Sequence, residues 1–164
     1  MSNQQQPKSK IKSREELQPI IANLQKQGKK IVFTNGCFDL IHLGHVRLLQ
    51  EAQAQGDRLI IAINTDASVR GLKGPSRPIL SEQERAEMLA ALTCVDFVTF
   101  FGEPTPLATI LLLHPDVLVK GADYALDEIV GKKEVLAYGG KVMAIPLTPG
   151  YSTTALIEKI KKEL

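Results

Sequence analysis

Tryptophan is absent from this chain, and the few phenylalanines and tyrosines bring the aromatic share to only 5%. A stacking platform for single-stranded nucleic acid is therefore not expected. Neither sign of charge dominates: 20 Lys and Arg against 18 Asp and Glu leave a net +2, too little for the electrostatic footprint of a nucleic-acid partner. Cysteine is scarce as well. Cys37 and Cys94 make no disulfide framework, and both stand among apolar neighbours that suit a reducing compartment. No apolar run approaches the roughly 20 residues that span a bilayer. The N-terminal "MSNQQQPKSK" lacks the apolar core of a signal peptide. The expectation is a cytoplasmic protein without nucleic-acid or membrane partners. Two common nucleotide fingerprints, GxxxxGK[ST] and GxGxxG, are missing too, which argues against a P-loop kinase and a common dinucleotide dehydrogenase.

What is present is an ordinary globular composition, 44% apolar over 164 residues with a mean hydropathy of −0.02. A chain of this size forms one domain and buries roughly 68–70% of its unfolded surface. Residues 1–12 read as a flexible, solvated tail and 13–164 as a single domain. Ser13 and Glu16 have the form of a capping box, and Leu17, Ile20, Ile21 and Leu24 follow at helical spacing. Apolar strands are expected at Lys30 to Thr34, Arg58 to Asn64, Val95 to Phe100, Asp116 to Lys120 and Lys141 to Ile145. Helices are expected at Val46 to Ala54, from Ser81 to Leu92, at Pro104 to Leu113, at Glu128 to Tyr138 and from about Thr153. The stretch "DASVRGLKGPSRPILS" reads as a long loop.

Strands apolar throughout, alternating with helices, predict a parallel sheet covered on both faces. The expected fold is α/β, a Rossmann-like doubly wound five-stranded parallel sheet of order 3-2-1-4-5. Ligands bind such sheets beyond the carboxyl ends of the strands, at the switch point between the first and fourth. Thr34 to Asp39 and Lys120 to Asp123 lie there.

"TNGCFDLIHLGHVRLL", Thr34 to Leu49, carries this corner with His42 and His45 three apart and with Gly36 and Gly44. Zinc would use both histidines and further ligands such as Cys37 and Asp39, yet no CxxC or HExxH accompanies them. Cys37 beside a histidine base would make a thiol nucleophile, but it equally suits packing as a small apolar residue. Both imidazoles also fit as polar groups satisfied at a helix cap. A phosphate cradle uses every part: Gly36 and Gly44 admit a ligand close to the backbone, and a helix start presents free N–H groups. Imidazoles there donate to phosphate oxygens as charge develops. Ser152, Thr153 and Thr154 supply hydroxyls and N–H groups at a second helix start. No set of protein side chains is assigned to a metal.

"GCFDLIHLGH" resembles the G-x-F-D-x-x-H-x-G-H signature of the cytidylyltransferase-like nucleotidyltransferases. "GYSTTALIEKI", Gly150 to Ile160, is similar to their second signature, G-x-S-T-T at a helix start. "LKGPSRPI", "VLVKGADY" and "STTALIEKI" resemble the D-glycero-β-D-manno-heptose 1-phosphate adenylyltransferases, and the likeness runs from about Ile31 to the C-terminus. The resemblance implies that ATP and heptose 1-phosphate give ADP-heptose, for lipopolysaccharide cores, and pyrophosphate. It implies in-line attack without a covalent intermediate, and Mg²⁺ on the triphosphate. His42 and His45 would contact the triphosphate in the transition state, and Lys73 would bring positive charge from a loop, Gly71 to Pro78, that closes over substrate. The nucleotide would lie against Thr34, Asn35, Gly36, Cys37, Phe38, Gly44, Lys120 and Gly121, with Gly150, Ser152, Thr153 and Thr154 at its β- and γ-phosphates. Asp39, Asn64, Asp66, Arg77, Arg85, Asp123 and Tyr124 are candidates for the acceptor sugar phosphate; Arg85 equally suits a surface ion pair. A glycerol-phosphate-type cytidylyltransferase and a nucleotide-binding module without turnover are the alternatives. Leu147 stands where the cytidylyltransferase branch carries an arginine, so ATP is expected over CTP. The expected partners are ATP and a sugar 1-phosphate, with a homodimer as the expected assembly.

Overall fold

Ile31, Val32 and Phe33 have apolar side chains on both sides of an extended backbone, so their strand needs cover on both faces. In the structure, a computed structural model that describes residues 6–121 and 125–164, all three are fully buried. They open β1 (Ile31–Gly36), the centre of a five-stranded parallel sheet. β2 (Arg58–Asn64) pairs with the whole of β1, from Ile31 opposite Arg58 to Gly36 opposite Ile63. β4 (Val117–Gly121) lies on the other side, with Val32 opposite Val117. β3 (Phe97–Phe101) and β5 (Lys141–Ile145) form the edges, giving the expected order β3-β2-β1-β4-β5.

Alternate strand residues feed two cores. Val32, Leu59, Ile61 and Val98 pack with Leu49 and Ala52 of α2 (Leu43–Gln53) and Ala86 and Leu89 of α4 (Glu82–Ala90). Ile31, Phe33, Ile60 and Ala62 pack with Leu17 and Ile21 of α1 (Arg14–Lys26) and Ile110 of α5 (Leu107–Leu113). Both expected capping boxes form, at Ser13 with Glu16 and at Ser81 with Glu84. Among the described residues, no helix is long and apolar enough to cross a membrane.

Several elements differ from expectation. The stretch read as a long loop opens with α3 (Asp66–Lys73), because the Thr65 hydroxyl accepts from the Ser68 N–H and Val69 finds a place in the core. Gly71 is thus helical, and the turn comes at Gly74, whose φ of 95° favours glycine. The expected helix from Glu128 is a 3₁₀ turn, Leu126–Glu128, followed by α6 (Lys132–Ala137). Gly131 separates them at φ 87°, in a spot where a Cβ would lie 2.8 Å from Ile110. α7 (Thr153–Glu163) is as expected. Of the residues read as a solvated tail, Pro7–Lys10 form a 3₁₀ turn, Ile11 bridges Val98, and the Lys12 N–H donates to the Val98 carbonyl at 3.0 Å. This segment shields part of the outer edge of β3, which would otherwise offer unpaired amides.

Candidate active site

At the carboxyl end of β1 the chain turns through Cys37 and Phe38, whose φ of 48° is left-handed. A Cβ on Gly36 would lie 3.0 Å from the Phe38 ring, so the glycine admits that ring against its own backbone. Asp39 is 1% exposed, and its carboxylate accepts from the Ile79 and Leu80 amides at 2.8 and 3.0 Å and from Arg77 Nε at 2.5 Å. Burial pushes the Asp39 pKa up, but those amides and the guanidinium outweigh it and hold the group below its usual range. Arg85, fully buried, donates to the Cys37 carbonyl at 2.6 Å, the Leu80 carbonyl at 3.1 Å and Asp66 Oδ1 at 2.7 Å. Arg85 is therefore neither a surface ion-pair residue nor open to an acceptor. With Asp39, Arg77 and Asp66 it forms an internal brace between the corner and residues 77–80, because a buried guanidinium needs its donors satisfied.

α2 begins at Leu43, three residues earlier than expected, because the histidines build its first turn. The backbone N–H of His42, the N-cap, donates to His45 Nδ1 at 3.4 Å. That bond leaves the His45 proton on Nε2, the other ring nitrogen. The two imidazoles stack with centroids 3.8 Å apart, and His45 meets the Phe38 ring at 5.2 Å. Burial, then the neighbouring His42 and Lys73, push the His45 pKa down to about 4; burial also lowers that of His42. Both rings are neutral at pH 7 and able to donate one N–H. His42 Nδ1 is buried and has no hydrogen-bond partner among the described residues.

Two cavities open beyond the strand ends. One, of about 290 Å³, is lined by Thr34, Phe38, Gly44, both histidines, Gly121, Leu147 and the stretch 151–154. The other, of about 420 Å³, is lined by Asn64, Leu72, Phe101, Thr105, Glu128 and Ile129 among others. Asn35, Gly36, Cys37, Lys73 and Lys120 line both. Lys120 Nζ donates to the Asn35 carbonyl at 3.1 Å, and burial lowers its pKa. Leu147 packs on Gly121 so closely that a Cβ there would lie 2.7 Å from Leu147 Cδ2. Ser152 caps α7 by accepting from the Ala155 N–H at 3.0 Å, and Gly150, at φ 83°, turns the chain into it. Thr153 Oγ1 donates to the Leu40 carbonyl at 3.4 Å, which joins this helix start to the corner.

The structure thus brings together the expected corner residues, Lys73, Lys120, Gly121 and 152–154, while Gly150 lines neither cavity. Asn64 reaches the larger cavity, with its Nδ2 on Ser68 and its Oδ1 accepting from the Cys37 thiol at 3.6 Å. Cys37 therefore hydrogen-bonds an amide and not a histidine base. The expected acceptor contacts Asp123 and Tyr124 lie outside the described residues. Phe101, Thr105 and Glu128 were not anticipated; the prolines of "GEPTP" straight after β3 are the signal that marks that stretch as a strand-end loop. Among the described residues, no three His, Cys, Asp or Glu side chains gather to hold a metal ion.

A Rossmann-like sheet with two helix starts, two imidazoles and two lysines gathered at its carboxyl edge defines an α/β protein whose ligand site lies beyond the strand ends. The cytidylyltransferase-like family matches residues 33–159. The chain is 55% identical over 152 residues to the bifunctional protein HldE of Syntrophotalea carbinolica, and 54% identical over 155 residues to that of Azorhizobium caulinodans. Those matches cover 93% and 94% of this chain but only 31% and 32% of the relatives, so it spans about a third of their length. Among solved structures, the lipopolysaccharide core biosynthesis protein from Thermoplasma volcanium GSS1 superimposes with a TM-score of 0.62 at 27% identity, covering 74% of this chain and 98% of that one. Pantoate-beta-alanine ligase from Francisella tularensis shares the fold, with a TM-score of 0.58 at 19% identity over 83% of this chain and 66% of that one. The chain belongs to the cytidylyltransferase-like family.

Proposed function

We propose that this chain is an adenylyltransferase that moves AMP from ATP to D-glycero-β-D-manno-heptose 1-phosphate, releasing pyrophosphate and forming ADP-heptose for lipopolysaccharide cores. The observation that carries the proposal is the pair of cavities with one common wall of Asn35, Gly36, Cys37, Lys73 and Lys120. A transfer between two phosphorylated substrates needs two adjoining volumes and positive charge where they meet. The nucleotide occupies the cavity of the histidines and α7, and the acceptor the larger one, where Asn64, Thr105 and Glu128 offer groups for sugar hydroxyls. A volume of about 420 Å³ falls in the usual range for small-molecule sites and leaves a glycerol phosphate loosely held. The heptose assignment draws on "LKGPSRPI" and "VLVKGADY", and is supported by the names of the relatives and of the solved structure.

In this reaction an oxygen of the acceptor phosphate attacks the α-phosphorus in line. The new P–O bond forms as the bond to the β-phosphate oxygen breaks, and pyrophosphate leaves. Lys73, Lys120, His42 and His45 stabilise the charge that develops, and the amides and hydroxyls of 152–154 hold the leaving phosphates. The donor set, two imidazoles and two ammonium groups, fits anionic oxygens and not a resident cation. Mg²⁺ accordingly belongs to the substrate MgATP and supplies charge neutralisation on the triphosphate. Leu147, packed on Gly121, presents an apolar surface suited to adenine, and the reaction belongs in the cytoplasm with its ATP.

The test is pyrophosphate release with ATP or CTP against heptose 1-phosphate or glycerol 3-phosphate. ATP with heptose 1-phosphate should give the highest kcat/KM. A preference for CTP with glycerol 3-phosphate would overturn the substrates, and no release with any pair would overturn the activity.

A further inference from the structure

The two helix starts that form the nucleotide cavity are joined by one side chain that neither signature motif requires. Tyr151 follows Gly150 and is 43% exposed, yet its ring lies nearly parallel to His42, at 24° with centroids 6.4 Å apart. His42 in turn stacks on His45, and His45 meets Phe38. The ring also meets Arg47 of α2, whose guanidinium carbon lies over it at 5.9 Å from the centroid. These separations fall within the ranges in which aromatic pairs and cation–π pairs attract. Four rings in successive contact thus line the cavity, with the Arg47 guanidinium beside the last of them.

Gly44 shows how closely these rings are fitted. A Cβ there would lie 2.9 Å from Tyr151 Cβ and 3.0 Å from His42 Cε1 and Nδ1. The glycine between the histidines therefore makes room for Tyr151 and His42 together. The Tyr151 backbone is continuous with Ser152, the N-cap of α7. Displacing the ring would change both the orientation of His42 and the distance between the histidines and 152–154.

We propose that Tyr151 is a positioning residue: its ring, in contact with both Arg47 and His42, sets the orientation of the His42 imidazole toward the phosphates. The role belongs to the ring face, because the hydroxyl has no part in the stack. The proposal rests on the adenylyl-transfer function above. His42 is placed for transition-state charge, and a misplacement of about 1 Å at such a group can lower rate by roughly 10²-fold.

The experiment compares Tyr151→Ala and Tyr151→Phe by steady-state kinetics and by proton NMR of the histidine Cε1–H signals. Tyr151→Ala should lower kcat by about 10- to 100-fold with the ATP KM within about threefold, and should shift the His42 signal as the ring current is lost. Tyr151→Phe, which keeps the ring, should recover most of the rate and the wild-type signal. Arg47→Met, which removes the guanidinium from the tyrosine ring, should move the same signal part of the way and guards against a folding defect in the alanine variant. A raised ATP KM with unchanged kcat would make Tyr151 a nucleotide platform and overturn the proposal. So would a phenylalanine variant as slow as the alanine one, since the hydroxyl would then be the working group. The NMR signals need no turnover, so the stack is judged even if the substrates prove to be different ones.

Discussion

A half-buried imidazole stacked on a second imidazole and facing a lysine holds a proton poorly, and this makes His45 a source of pH dependence. Its pKa of about 4, against 6.5 for an ordinary histidine, means that the unfolded chain binds more protons than the folded one between those two values. Stability from this group is therefore complete above about pH 6.5 and is lost as pH falls toward 4, by at most about 3 kcal/mol in total. His45→Gln should flatten the urea-unfolding free energy across that window while leaving the slope above pH 7 unchanged. The same variant should lower kcat by on the order of 10²–10³, the usual loss when one donor to a developing oxyanion is altered. A variant with the wild-type pH slope would show that the folded protein protonates His45 as readily as the unfolded chain does. Asp39 and Arg85 teach the complementary point. Each looks like a ligand group in sequence, and each is held by partners that lie far along the chain: Arg77 for Asp39 at 2.5 Å, Asp66 for Arg85 at 2.7 Å. Nothing local in the sequence announces such pairs.

Among the elements, the strands and their order were legible because each is a short apolar run bounded by turn residues and separated from the next by a helical period. α3 was not. It buries Val69 alone, so it has no apolar stripe to read, and its cap, Thr65 with Ser68 at the third helical position, lacks the acidic partner of a full capping box. The lining of the smaller cavity was easier to read for the opposite reason: most of its residues come in two contiguous motifs at helix starts. The larger cavity draws one to three residues each from the ends of β1, β2, β3 and β4, from α3, from the loop after β3 and from the stretch beginning at Glu128, and no short window contains that pattern. The helical state of α3 sharpens the role of Lys73. It is exposed at the last turn, where the helix dipole favours a cation, and Gly74 ends the helix just beyond it. Alanine at an exposed helical position costs little, so Lys73→Ala should melt within about 2 °C of the wild type. Its kcat should nevertheless fall by on the order of 10²-fold, as for loss of one charged transition-state contact. An unchanged kcat would remove Lys73 from the reacting phosphates.

For the molecule as a whole, the reversal of strand order between β1 and β4 leaves a crevice at their carboxyl ends. The two cavities lie against that crevice and are separated only by the β1 terminus and two lysines. Two ligands can then stabilise the same fold at once, and thermal unfolding can count them. A ligand at 100 times its Kd that binds only the folded chain adds about 2.7 kcal/mol, which for a chain of this size is roughly 5–10 °C in Tm. An ATP analogue with a methylene group between the α- and β-phosphates binds without transfer, so it can be combined with heptose 1-phosphate. Each alone should raise Tm. Together they should raise it by at least the sum of the separate shifts, because Lys73 and Lys120 face both volumes and offset the repulsion between two phosphorylated ligands. If both ligands competed for one cavity, the combined shift would stay close to the larger single one. That outcome would leave the chain a nucleotide or sugar-phosphate binder and remove the two-substrate geometry on which transfer depends.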